Sequence, residues 1–184
     1  TLRLENANIT ISGEVRGIYS EIEGLKIEVV GNDTINANDW TPIELDKSTT
    51  ILGDGTLTVN NQSNIHPVLW IWNDSLTIEN CTVKATGGNI SIGSNSSGTL
   101  TINNATVTAT NTVQGSIINF SEIILNGCFI SEPAGAKISG GNVTDANGNI
   151  IKDTVRIIPI VTYDLRICGV QVTNANKNDL SIID

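Results

Sequence analysis

Leu76-Thr77-Ile78-Glu79-Asn80-Cys81-Thr82-Val83-Lys84-Ala85 and Leu100-Thr101-Ile102-Asn103-Asn104-Ala105-Thr106-Val107-Thr108-Ala109 are two copies of one pattern, and their spacing decides the fold. The anchor of each copy is a threonine, a branched aliphatic, any residue and a small apolar one. It returns at Asn8-Ile9-Thr10-Ile11, Thr34-Ile35-Asn36-Ala37 and Thr56-Leu57-Thr58-Val59, with a degraded sixth form at Phe129-Ile130-Ser131. The aliphatic stands at 9, 35, 57, 83, 107 and 130, so the steps of 26, 22, 26, 24 and 23 wander around one mean without drifting. A unit this short cannot bury its own apolar face. Strand chemistry with a period in the low twenties therefore means one solenoid turn per copy, each stacked on the next.

Other segments of the repeat complete the turn. Upstream of the anchor lie short alternating runs, Leu2-Arg3-Leu4, Leu76-Thr77-Ile78, Leu100-Thr101-Ile102 and Ile123-Ile124-Leu125. Asparagine or glycine separates them from the anchor, as expected of bends with left-handed backbone. A third run follows a glycine, proline or asparagine, as in Pro42-Ile43-Glu44-Leu45, Pro67-Val68-Leu69-Trp70 and Asn89-Ile90-Ser91-Ile92. Three strands per turn predict an all-β chain. We expect a single-stranded right-handed parallel β-helix of about six coils over 1–135, then a closing hairpin and strand over 136–160, then a C-terminal strand segment over 161–184 that begins a following module or serves as a linker.

The 184 residues suffice for one substantial core, and the net charge of −9 with ten scattered basic residues argues against nucleic acid as a partner. No apolar run is long enough to predict a transmembrane segment. The chain has no methionine, even at position 1, which suggests a piece cut from a longer protein. Of the three cysteines, Cys81 and Cys128 occupy the small slot held by Ala7 and Ala105. They should lie two turns apart, about 9.6 Å at about 4.8 Å per rung, beyond the reach of a disulfide, and so act as core fillers. Asp145-x-Asn147-x-Asn149 has the alternating oxygens of a calcium loop, but Asn147-Gly148 between β-prone runs better fits a two-residue hairpin turn.

The L-T-I-x-N-x-T-V-x-A coils resemble tandem modules in surface proteins of gut-dwelling Gram-negative anaerobes. So do the stretch Gly53 to Val59 (G-D-G-T-L-T-V), the hairpin at Val143 to Asn149 (V-T-D-A-N-G-N) and the segment Tyr163 to Asn176 (Y-D-L-R-I-C-G-V-Q-V-T-N-A-N). In that family the last motif opens a module and the Leu2-Arg3-Leu4-Glu5-Asn6-Ala7-Asn8-Ile9 type of strand follows it, so Tyr163 to Asp184 would start the next copy. The coils also resemble a β-helical family that binds polysaccharide with calcium. These resemblances imply an extracellular or outer-surface bacterial location, adhesive or carbohydrate-binding use, and neighbouring modules of the same parent as partners.

An enzyme is weakly supported. The sequence has neither D-D nor D-x-D, and His66 has no accompanying nucleophile motif. Glu21-x-Glu23 reads as a solvated corner.

The best functional lead is Pro67-Val68-Leu69-Trp70-Ile71-Trp72, apolar on both faces. If Val68, Trp70 and Trp72 keep the register of Ile43 and Leu45, which repeat alignment favours, the tryptophans are core. In the opposite register they form a flat exterior pair suited to stacking on sugar rings, and Trp40 at a coil corner would extend it. Either way an apolar strip remains to be capped by the Asp153–Val161 run, a neighbouring module or a ligand. A second lead is Asp33 and Asp54, at nearly corresponding positions in successive coils, where stacked carboxylates would share a cation such as calcium. The expectation is a non-catalytic surface module that binds polysaccharide or host glycans, with a purely structural spacer in a tandem array as the alternative and a lyase-like enzyme behind both.

Overall fold

The computed structural model describes residues 1–179 and is built of strands, turns and bends. Each solenoid turn holds three short strands. Turn one is β1 (Leu2–Glu5), β2 (Asn8–Ile11) and β3 (Ile18–Ser20), and turn two is β4 (Leu25–Val30), β5 (Asn32–Ala37) and β6 (Ile43–Leu45). Turn three is β7 (Thr49–Gly53), β8 (Thr56–Asn61) and β9 (Leu69–Ile71), and turn four is β10 (Leu76–Glu79), β11 (Thr82–Gly87) and β12 (Ile90–Ser94). Turn five is β13 (Thr99–Asn103), β14 (Thr106–Thr110) and β15 (Gly115–Ile118). Like strands stack in parallel, so the first, second and third strands of the turns form three sheets around one core. The chain is thus an all-β parallel β-helix. Among the described residues no helix is long and apolar enough to cross a membrane.

Stacking places like residue on like residue. Ile27, Ile51, Ile78 and Ile102 form one continuous interior column of the first sheet, each fully buried. Burying each of these side chains contributes roughly 1.5–3 kcal/mol. The corner that follows is a column of left-handed residues at Asn6, Gly31, Asn80, Asn104 and Gly127, with φ between 44° and 73°. Asparagine and glycine recur there because other side chains strain in that conformation. Cys81 and Cys128 are buried free thiols beside this corner, and Cys128 Sγ lies 3.5 Å from the Ala105 carbonyl.

The register departs from the repeat at one place. Ile35 pairs with Val59, not Leu57, so the equivalent residues are Ile9, Ile35, Val59, Ala85 and Ala109. The slip is two residues. A strand's faces alternate with period two, so the slip leaves every side chain on its expected face and alters only its rung. One consequence is that Asp33 pairs with Leu57 and stands in the column of Leu57, Val83 and Val107.

Regular winding stops after five turns, short of the six expected. β16 (Glu122–Asn126) still stacks on β13, but β17 (Cys128–Glu132) does not reach β14. After the hairpin β18 (Lys137–Ser139) and β19 (Asn142–Thr144), the chain returns as β20 (Thr154–Pro159), which lies antiparallel between β14 and β17. Ile157 pairs with both Val107 and Ile130, so it holds the rung expected of the sixth anchor. Thr154-Val155-Arg156-Ile157 alternates cleanly and buries Val155 and Ile157, whereas Phe129 and Ile130 in β17 are only half-buried.

The two-residue hairpin turn is Gly140-Gly141, at φ 53° and 73°, not Asn147-Gly148. At the latter site Asp145 organises a longer turn. Its Oδ1 accepts from the backbone N–H groups of Asn147 (2.9 Å) and Asn149 (2.8 Å), and its Oδ2 accepts from Asn149 Nδ2 (3.0 Å). The carboxylate is therefore occupied by its own turn. The last two described strands, β21 (Thr162–Ile167) and β22 (Val170–Thr173), form a hairpin that is largely exposed apart from buried Val172. Asn174 ties it to the body through Pro159 and Val161.

Candidate functional site

The third sheet has strands of only three to five residues, and one paired column on it runs through Tyr19, Glu44, Trp70, Gly93 and Ile118. Leu69 and Ile71 pair with Ile43 and Leu45 and are fully buried, which corrects the favoured register: the tryptophans are not core. The run is apolar on both faces, so hydrophobicity could not set its parity. Val68 is also buried, one position ahead of the strand, and this extra core residue moves the alignment by one. Nor do the tryptophans form a flat pair, because Trp70 and Trp72 meet edge to face at 5.7 Å and 82°. β20 lies in the second sheet and does not cover them.

Around Trp70 is a groove of about 390 Å³. One wall is Trp40 lying on His66, ring centroids 4.0 Å apart and tilted by 32°. Asn61 sets that wall by donating its Nδ2 hydrogens to the carbonyls of His66 and Pro67, both at 3.1 Å. The opposite wall is Trp72, 39 % exposed. Between them Glu44, only 8 % exposed, accepts from Trp72 Nε1 at 3.0 Å and from Arg16 Nε at 2.6 Å. The Arg16 guanidinium also lies 5.0 Å from the Tyr19 ring centroid and 5.9 Å from that of Trp40, within cation–π range. Hydrogen bonding to Glu44 raises its already high pKa, so it remains cationic.

A second cavity of about 740 Å³ adjoins the first and is lined by Glu21, Glu44, Asp46, Lys47, Trp72 and Asn73. The Tyr19 hydroxyl lies between the carboxylates of Glu21 and Asp46, 3.0 Å from Asp46 Oδ2, and these bonds push its pKa well above the usual phenol value.

The structure thus brings Trp40, Trp70 and Trp72 to one groove and leaves Asp33 and Asp54 apart. Asp33 is 1 % exposed inside the second-sheet column. Its Oδ1 accepts from the Ala7 N–H at 2.7 Å, while Oδ2 has no partner. Asp54 is exposed on a corner with an additional residue: Gly53, Asp54 and Gly55 stand between Leu52 and Thr56, where only Asn80 and Cys81 separate their partners Glu79 and Thr82. The two carboxylates do not share a rung, and among the described residues no group of three or more histidine, cysteine, aspartate or glutamate side chains is placed to hold a metal.

Sequence reasoning missed Arg16, Glu44 and His66. The signal for Glu44 was present, as the polar member of Ile43-Glu44-Leu45 one turn before Trp70. Comparison with protein-family profiles, with curated proteins and with solved structures finds no match to this chain.

Proposed function

We propose that this chain is a non-catalytic module that binds glycans through the groove on its third sheet, and that it works at the outer surface of a bacterium beside other modules of the same parent protein. The observation that carries this reading is the convergence of Trp40, Trp70 and Trp72 on a groove floored by the Arg16–Glu44 pair. Indole faces suit the apolar faces of sugar rings, while planar guanidinium and carboxylate groups suit adjacent hydroxyls. Arg16 spends only Nε on Glu44, which leaves its terminal nitrogens free for a ligand. A catalytic role fits less well, because both Glu44 oxygens are already engaged, Oε2 by Arg16 and Oε1 by Trp72.

A glycan array tests the reading, run with calcium and with chelator. Binding by the native chain that Trp40→Ala and Trp72→Ala abolish, with unchanged melting temperatures, is the expected result. Silence across plant and host glycans would instead favour the spacer. That second reading draws support from the asparagine ladders between turns, such as Asn36 with Asn60 and Asn103 with Asn126, both at 2.8 Å, which stiffen the stack whatever it carries.

A further inference from the structure

We infer, resting on the glycan-binding reading above, that the ligand is an uncharged polysaccharide chain of several units, running from the Trp40–His66 wall past Trp72 to Asp46 and Lys47. The two cavities are parts of one trough, because Glu44 and Trp72 line both. Each alone, at about 390 Å³ and about 740 Å³, has the size of a complete small-molecule site, roughly 300–1,000 Å³. A single sugar would leave most of the joined space wet. Trp72 is fixed as the shared wall, edge-on to Trp70 and with its indole N–H held by Glu44. A chain stacked in the first half therefore continues past Trp72 into the second.

Charge narrows the class. The trough sets Glu21, Glu44 and Asp46 against Arg16 and Lys47, and the whole chain carries −9. Glu44 and Arg16 neutralise each other in the first half. The second half keeps Glu21 and Asp46 against Lys47 alone, so a polyuronate would bring its carboxylates toward like charge there. Neutral hydroxyls meet no such opposition and can donate to these oxygens.

The test is calorimetric titration with xylo- and cello-oligosaccharides, from the single sugar to the longest soluble oligomer, and with oligogalacturonates as the anionic arm. Affinity should rise by about tenfold or more along a neutral series, a gain of about 1.4 kcal/mol, and galacturonates should bind more weakly than neutral oligomers of equal length. The double variant Glu21→Ala/Lys47→Ala, changed at exposed positions of the second half, should lose that length-dependent gain, and a gain that survives it overturns the inference. A flat length series, or tightest binding of galacturonates, overturns the inference and leaves the glycan reading intact. If no sugar of any length or charge binds, the glycan reading falls and this inference falls with it.

Discussion

Asp33 is the residue most at odds with its surroundings. Its column neighbours Leu57, Val83 and Val107 are aliphatic and fully buried, and one of its own oxygens has no donor. Burial of an incompletely bonded carboxylate is unfavourable. Asp33→Asn keeps an oxygen for the Ala7 N–H and should leave the melting temperature near the native one, whereas Asp33→Ala removes that acceptor and should cost about 1 kcal/mol or more. Asp145 is the opposite case. Bonds from Asn149 and Asn147 lower its pKa, so the support it gives its turn is complete above the ordinary carboxylate value and is lost as pH falls through the lowered one. The amide resonances of Asn147 and Asn149 should therefore titrate together at a pH below that value, and Asp145→Asn should abolish the titration. Identity alone revealed neither role. In sequence both aspartates invited a cation reading, and only the rung of one and the donors around the other separate them.

At the scale of the element, parity was legible wherever one face was polar. Ile43-Glu44-Leu45 and Thr82-Val83-Lys84-Ala85 announce their inner faces, and even the two-residue slip at Ile35 left those faces correct. The Trp70 strand gave no such cue, because Val68 through Trp72 is apolar throughout. The site was less legible than the strands because Arg16, Glu44, His66 and Trp70 come from three turns, and their meeting depends on corner lengths that vary. Gly93 in β12 shows how that strand serves the groove. Its φ is not positive, so its glycine is needed for space: a Cβ there would stand 3.2 Å from Trp70 Cζ3 and 2.8 Å from Ile90 Cγ2. Gly93→Ala should shift the Trp70 ring into the groove. The expected result is an altered near-ultraviolet tryptophan signal and weaker sugar binding, with cooperative unfolding preserved.

For the whole molecule, the period of the anchors was enough to predict the stacked architecture, because a repeated core column has few other ways to be buried. The end of the stack was not readable from that period. Thr154-Val155-Arg156-Ile157 lies well downstream of β14, and nothing in a parallel repeat signals that a strand will come back reversed. Ile157 is fully buried between Val107 and Ile130. Ile157→Ala should destabilise the chain by about 2–5 kcal/mol in denaturant titration, while exposed Arg156→Ala should change it by less than about 1 kcal/mol.

The reversed strand also changes the hydrogen-bond spacing within the second sheet. Parallel ladders offer evenly spaced donors and acceptors, and an antiparallel rung offers them in alternating close and wide pairs. That change is confined to the two ladders on either side of β20, because β17, reversed a second time, runs in the same direction as β14. An extra turn inserted between the second and fifth laps would meet the same parallel pattern above and below it.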